Sequence, residues 1–260
     1  MTTLLPRELL LPLTAELRKV LTLRWCVLLA ALLPAIALVA ATVTALMAGQ
    51  ADPRAQPVTG AATIGLLLAI AAAALGAGSF AAALTGGEFR YGTMPVTVLT
   101  APDRDRLVGA KLLVAAALAL AVGVVTELVA LGCLFAFGRD KVTFDGTLWA
   151  VLGAGLFATV CWALIGTGLG LLLRNSTTAV TALLGWLLIG EPLIWLIAEG
   201  LGIGGLVTLL PGSATVGAVA VGSFQDAAVF APTPAALVVL LSWAVASAGA
   251  GWWLLREREV

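Results

Sequence analysis

Six long apolar stretches constrain this 260-residue chain more than any other feature of its sequence. A helix needs roughly 20 apolar residues to cross the hydrocarbon core of a bilayer, and each stretch is long enough. Inside a bilayer the backbone must satisfy its own hydrogen bonds, and the stretches lack the alternation of barrel strands, so we expect helices. The predicted spans are residues 25–47, 59–84, 112–137, 147–173, 177–198 and 234–255.

The composition supports the same class of protein. Hydrophobic residues make up 61% of the chain, charged residues make up 11%, and the mean hydropathy is +1.10. These values are typical of a polytopic membrane protein and exclude a soluble domain with a large core. We therefore expect an all-α fold with six transmembrane helices in a single domain over residues 1–260.

Basic residues are distributed unevenly over the segments that connect the spans. If the N-terminus lies inside, three of the 14 lysines and arginines lie outside, namely Arg54, Arg139 and Lys141, and the other eleven lie inside. Short loops rich in lysine and arginine stay on the cytoplasmic side of a membrane. The sequence therefore predicts that both termini and the connection between spans two and three are cytoplasmic.

Residues 6–24, before the first span, are predicted to form an interfacial helix at the membrane surface. Its residues divide into an apolar face with Leu13, Leu17, Val20 and Leu21, and a polar face with Glu16, Arg18, Lys19 and Thr22. Such a helix can connect the bundle to a cytoplasmic subunit. Alternatively, it is a solvated anchor that only retains the orientation of the first span.

Residues 85–111 form a strongly charged segment between two apolar spans. Each charge would cost about 2.5 to 3.5 kcal/mol in hydrocarbon, so we expect the segment to face water. Thr85 to Glu88 and Thr100 to Asp103 both have capping-box spacing, which predicts two helix starts. The second helix would run through Lys111 into the third span.

The first of these helices is predicted to be a coupling helix that contacts a partner. Phe89 and Tyr91 would be its apolar anchors, because interfaces favour aromatic residues. Glu88 and Arg90 would make the polar contacts. The alternative is a solvated loop whose charges only follow the distribution of basic residues.

Two carboxylates fall within or near the ends of spans, where a charge needs a partner or a function. Glu127 lies in the outer half of the third span, and Glu191 lies near the outer end of the fifth. One interpretation places both along a translocation path. The other makes them structural, protonated or hydrogen-bonded between helices.

Six residues of the charged segment follow a recognisable order. The pattern is Glu-x-x-x-Gly-Thr, an apolar run, Pro-x-Arg and a later lysine, carried by Glu88, Gly92, Thr93, Pro102, Arg104 and Lys111. It resembles the cytoplasmic loop of type-2 ATP-binding cassette (ABC) permeases. Residues 15–24 are similar to the segment that precedes the first span in that family, and the resemblance covers the layout of the whole chain.

The resemblance implies an exporter in a bacterial plasma membrane, driven by two copies of a separate ABC ATPase. Six spans form half a transporter in that family, which implies a second permease subunit and most simply a homodimer. It also implies short re-entrant or interfacial helices between the last two spans, near Leu206–Leu210 and Ala214–Val221. The residues that would couple the chain to the ATPase are Glu88, Phe89, Arg90, Tyr91, Gly92, Thr93, Pro102 and Arg104.

Several types of site are missing from the sequence. The chain has no histidine, which removes histidine-ligated metals and histidine-dependent catalysis. It has no Gly-x-x-x-x-Gly-Lys-Ser/Thr motif, so we expect no ATPase activity in this chain, and we expect no cofactor or nucleic-acid partner. The alternative functions are a proton-coupled secondary transporter that uses Glu127, and a non-transporting membrane scaffold or immunity protein.

Overall fold

The computed structural model describes residues 7–48, 61–100, 103–142, 145–221 and 230–257. Within these ranges every regular element is helical, as the sequence predicts. In chain order the α-helices are α1 (Arg7–Leu21), α2 (Arg24–Met47), α3 (Ile64–Arg90), α4 (Thr93–Thr100), α5 (Arg104–Phe137), α6 (Gly146–Leu173), α7 (Ser176–Gly185), α8 (Glu191–Gly200), α9 (Pro211–Val219) and α10 (Thr233–Glu257). Short 3-10 turns cover Ala61–Thr63, Arg139–Lys141 and Gly204–Leu209.

In the described part of the chain, six helical segments are long and apolar enough to cross a membrane. They are α2, α3 with its preceding turn, α5, α6, the continuous segment Ser176–Gly200, and α10. Each predicted span overlaps one of them, although the start of the second, residues 59–60, lies outside the described residues. This agreement in length and composition indicates a multi-pass membrane protein.

The fifth of these segments contains a π-helical turn, Trp186–Gly190, between α7 and α8. Pro192 has no backbone N–H to donate to the carbonyl of Leu188, so the regular α-helical ladder is interrupted at this point. A π turn accommodates the interruption without ending the helix.

The centre of the bundle is the contact between α3 and α6. A Cβ added at Gly166 would overlap the backbone of Gly78, and one added at Gly170 would collide with Thr85. On another face of α6, Gly168 lies directly against the backbone of Ser247 in α10. The small residues that crowd these spans thus allow the close helix packing predicted from the sequence.

The 3-10 turn Gly204–Leu209 and α9 fold back into the bundle between α8 and α10. The Leu209 carbonyl accepts a hydrogen bond of 2.8 Å from the Trp243 indole, about 15 Å along α10 from its first residue. Thr215 in α9 accepts one of 2.9 Å from the Trp162 indole, well inside α6. These short elements overlap the predicted pair Leu206–Leu210 and Ala214–Val221, whose re-entrant or interfacial location stays a prediction.

The bundle has two ends with different chemistry. We call one the charged end; it contains α1, the α3–α5 and α6–α7 connections and the last turn of α10. The opposite end contains the α5–α6 and α8–α9 connections. There Lys141 donates to the Ala45 and Ala48 carbonyls, at 2.8 and 2.7 Å, and so stabilises the C-terminus of α2.

Candidate functional site

Four charged side chains from three helices meet at the charged end, and we call them the ion cluster. Lys111 Nζ in α5 donates to Glu16 Oε1 and Oε2 in α1, at 3.1 and 3.0 Å, and to Glu88 Oε1 in α3, at 2.5 Å. Lys19 Nζ in α1 donates to Glu16 Oε1 at 2.9 Å and to Glu88 Oε1 at 3.0 Å. The cluster therefore ties α1 to the ends of α3 and α5.

The ion cluster is largely removed from solvent. Glu16 is 3% exposed, and Glu88 and Lys111 are each 5% exposed, whereas a third of the Lys19 side chain remains exposed. Two carboxylates and two ammonium groups give a formal net charge of zero, which compensates the cost of burying each charge. Glu88 Oε2 is buried and has no hydrogen-bond partner among the described residues.

The environment of Lys19 alters its proton affinity. Burial by itself lowers the pKa of Lys19, but hydrogen bonds and charge attraction from Glu16 and Glu88 outweigh this and raise the pKa above its usual value. Lys19 therefore retains its positive charge in the cluster.

The predicted faces of the N-terminal helix are wrong in part. Glu16 and Val20 are buried and Leu13 is half-buried, whereas Leu17 and Leu21 are 43% and 60% exposed. The inward face of α1 thus includes the carboxylate that was assigned to the polar face. The sequence does indicate this inward position of Glu16, because the spacing Leu13, Glu16, Val20 places all three residues on one side of a helix.

The expectation that every charge of residues 85–111 faces water is wrong for Glu88 and Lys111, which are buried in the ion cluster. The first predicted helix start is also wrong: α3 continues unbroken through Thr85 to Arg90, where buried contacts with α6 support it. The chain turns at Gly92, whose φ of +66° favours glycine. The separate short helix of this connection is α4, which begins at Thr93.

The predicted coupling residues near this turn lie in different environments. Phe89 is half-buried beside Met94 and Leu107, with its ring 5.4 Å from the Arg174 guanidinium carbon. Tyr91 is 77% exposed. The structure thus separates the two aromatic residues that the sequence grouped as one pair of anchors.

Two polar side chains brace the same connection. Arg90 Nη1 donates to Thr177 Oγ1 of α7 at 3.2 Å. The Thr93 hydroxyl donates to the Glu88 carbonyl at 3.2 Å, across the Gly92 turn. Both bonds hold α4 and the end of α3 against the bundle.

The second predicted helix start lies three residues before the observed one. Asp103 is the N-cap of α5, and its side chain accepts from the Asp105 N–H at 3.1 Å. Arg104 donates to the Leu255 carbonyl at 3.2 Å, at the last turn of α10. The predicted continuation of α5 through Lys111 is confirmed, and Pro102 lies outside the described residues.

An apolar cleft begins at the ion cluster and extends between α3 and α5. The empty space in the cleft and at its open mouth together is about 620 Å³. Glu16, Glu88 and Lys111 line its charged end, and its walls include Phe80 and Leu118. The cleft thus joins a polar site to a long apolar surface.

Glu191 supports the fold-back between α8 and α10. Its carboxylate accepts from the Gly212 and Ser213 N–H groups, at 2.8 and 3.2 Å, and from the Trp186 indole at 3.1 Å. Gly212 and Ser213 are in the first turn of α9, where N–H groups lack partners within the helix. This geometry matches the structural interpretation of Glu191, since the carboxylate stabilises the start of a helix.

Glu127 is 4% exposed and lies where α5 faces α6. Its carboxylate is packed so closely against Gly155 that a Cβ there would overlap it, with Ile70 of α3 alongside. No hydrogen bond or ion pair connects Glu127 to another described residue. The structure therefore places Glu127 and Glu191 in separate environments.

Neither a family model nor a curated protein matches this chain. Within the described residues, no three side chains of histidine, cysteine, aspartate or glutamate are grouped to hold a metal ion. The functional argument therefore rests on the ion cluster, α4 and the cleft.

Proposed function

We propose that this chain is the membrane-spanning subunit of an ATP-binding cassette exporter, with ATP hydrolysed by a separate ATPase. Three features support the proposal. Six segments are long and apolar enough to cross a membrane, a helix that is not one of them is ion-paired to the bundle, and a short helix follows the second span. The last two features meet at the same end, where a partner would have to act on them.

The observation that carries the proposal is the apolar surface formed by Tyr91 and α4. Tyr91 is 77% exposed and Leu99 is 86% exposed, although the neighbouring Met94 is fully buried. A firmly attached element that exposes large apolar side chains outside the predicted spans is typical of a protein interface. In this proposal the surface binds the ATPase.

The arrangement suggests a mechanical route from the ATPase to the membrane. A movement of the ATPase would displace α4, and the turn at Gly92 would transmit this displacement to the end of α3. The ion cluster would transmit the displacement from α3 to α1 and α5, because Glu88 and Lys111 bind each other directly. Buried ion pairs resist separation, so the three helices move together.

The orientation and the oligomeric state belong to the same proposal. The excess of lysine and arginine around the charged end favours a cytoplasmic location for that end. A second copy of the chain would complete the transporter in the plasma membrane. The exposed apolar faces of α2 and of Ser176–Gly200, which are the least buried of the six segments, are available to lipid and to that copy.

A double substitution of Tyr91→Ala and Leu99→Ala tests the docking surface. The tagged chain would be purified from its native membranes, and a co-purifying ATPase with a Walker motif would be identified and its activity measured. We expect the double variant to lose this subunit while still inserting into the membrane. Phe89 is left intact because it packs inside the fold.

The matched control is Val125→Ala with Leu128→Ala, which removes two exposed apolar side chains from the middle of α5. We expect the control to retain the ATPase. A complex that survives the Tyr91 and Leu99 substitutions, with normal stimulation of ATP hydrolysis, would contradict the docking proposal.

The isolation of Glu127 favours a second candidate function, a proton-coupled secondary transporter. A buried carboxyl group without a partner is the type of residue that carries protons through a membrane. In reconstituted vesicles, the ABC proposal expects transport that needs ATP, survives a protonophore and persists in Glu127→Gln. Loss of transport on adding the protonophore, with ATP still present, would favour the second candidate.

A further inference from the structure

The apolar cleft has the length and lining of a site for an alkyl chain. Its walls follow α3 from Glu88 back to Ala77 and α5 from Lys111 to Val122. Each wall covers twelve residues of helix, and the distance from the first to the last corresponds to about 16 Å. Apart from its charged end and from Cys26, Thr85 and Thr167, the lining is alanine, leucine, valine and phenylalanine.

The charged end of the cleft contains an acceptor without a donor. Glu88 Oε1 accepts from both lysines, but Glu88 Oε2 is buried and unpaired among the described residues. A buried carboxylate oxygen that lacks a hydrogen bond is unfavourable, so the site is suited to a ligand that supplies a donor.

The same geometry disfavours an anionic head group. Among the described residues that line the cleft, Lys111 is the one cation. An ammonium group has three N–H donors, and Lys111 makes three hydrogen bonds to Glu16 and Glu88. An anion would therefore meet the Glu88 carboxylate without gaining an ammonium partner.

We propose that this cleft binds a single-chain amphiphile whose head group is a hydrogen-bond donor, a hydroxyl or a protonated amine. The head donates to Glu88 Oε2, which is closed to solvent in the structure, so the Glu88 carboxylate turns toward the cleft on binding; the alkyl chain lies between α3 and α5. Binding requires neither ATP nor an ATPase, so this proposal and the proposed transport function can fail separately.

Photo-crosslinking of the purified chain in phosphatidylcholine nanodiscs tests the proposal. Three probes share a 16-carbon chain with a diazirine at mid-chain and differ only in the head, which is an alcohol, a primary amine or a carboxylate. Peptide mass spectrometry then locates the labelled residues. We expect the alcohol and the amine to label residues 77–84 and 114–122 about tenfold more than the carboxylate, as one hydrogen bond to a charged acceptor would give.

Two neighbouring alanines of α5 provide a matched pair of variants. Ala115→Phe places a ring in the cleft, whereas Ala117→Phe places the same ring on the exposed face of the helix. We expect Ala115→Phe to abolish labelling of both segments and Ala117→Phe to retain it. Excess unlabelled long-chain alcohol should also suppress labelling of the native chain.

The outcomes decide between the proposal and general contact with lipid. Equal labelling by the three probes would overturn it, and so would undiminished labelling of a folded Ala115→Phe variant. If Ala115→Phe does not fold, the comparison of head groups on the native chain still decides. If only the alcohol or only the amine labels the cleft, the donor is assigned to that group.

Discussion

The charged end and the α8–α9 region at the opposite end each bury a glutamate, but they satisfy the carboxylate in different ways. Glu88 is bound by the ammonium groups of Lys19 and Lys111. Glu191 is bound by uncharged donors, which are two backbone N–H groups of α9 and the indole of Trp186.

The two sets of contacts stabilise different parts of the fold. The ion cluster links residues up to 95 positions apart in the chain and fastens three helices to one another. The Glu191 contacts join residues 21 and 22 positions apart and stabilise one local fold-back. Charge compensation thus joins distant elements at one end, whereas helix capping orders a short segment at the other.

Chemical labelling of introduced cysteines tests whether the two ends lie on opposite sides of a membrane. Asp103 is the N-cap of α5, and Gly146 follows the far end of that helix, which is about 51 Å long. We expect an impermeant thiol reagent to label Gly146→Cys in intact cells and to label Asp103→Cys only after lysis. Equal labelling of both in intact cells would contradict the proposed topology.

We expect the native cysteines to contribute little labelling in this experiment. The native cysteines, Cys26, Cys133 and Cys161, are all buried. Both introduced cysteines occupy exposed positions, and a Cβ at Gly146 meets no neighbouring atom.

Removing the central lysine should have the largest effect on stability. Lys111→Met leaves the carboxylates of Glu16 and Glu88 buried beside each other, so we expect a loss of about 3 to 5 kcal/mol in the free energy of unfolding. Lys19→Met is the control and should cost much less, because Lys19 is partly exposed and Lys111 remains. Thermal unfolding in detergent measures both; equal losses would refute the central role of Lys111.

Replacing glutamate by glutamine at each end compares the stability that charge compensation and helix capping contribute. Glu88→Gln leaves Lys111 with less negative charge nearby and should cost about 2 to 3 kcal/mol. Glu191→Gln retains an oxygen that can accept from α9 and should cost about 1 kcal/mol. Unfolding curves of the two variants test the order, and a larger loss for Glu191→Gln would reverse the interpretation.

The smallest expected effect is a dependence of stability on alkaline pH. The pKa of Lys19 is raised above 10.5 in the folded chain, so its contribution is fully present below pH 10.5 and is lost as the pH rises through the folded pKa. Lys19→Gln should therefore reduce the difference in unfolding temperature between pH 10 and pH 11.5. An identical pH profile in native chain and variant would contradict a stabilising Lys19.

The sequence predicted the helical class and the six apolar segments because both depend on local properties. Length and hydropathy suffice to identify a segment that can cross a membrane, and the small residues of α3 and α6 indicated close packing. The faces of α1 were predicted less well, since Glu16 was judged by its charge and not by its position beside Leu13 and Val20.

The candidate site was harder to predict because its parts are distant in sequence. Glu88 and Lys111 were singled out, but nothing local indicated that they bind each other. Similarly, Thr85 to Glu88 has the spacing of a helix start, yet contacts with α6 keep this stretch inside α3. Tertiary packing here overrides a local capping signal.

The sequence by itself determined that the chain is helical and apolar enough to cross a membrane six times, because every backbone polar group in lipid must be satisfied within its own segment. Only the tertiary structure decided which charges are buried. A carboxylate becomes stable inside the protein when its partners arrive from other helices, as Lys111 does for Glu16 and the first turn of α9 does for Glu191. Partner positions of this kind depend on how the helices pack, which no single segment specifies.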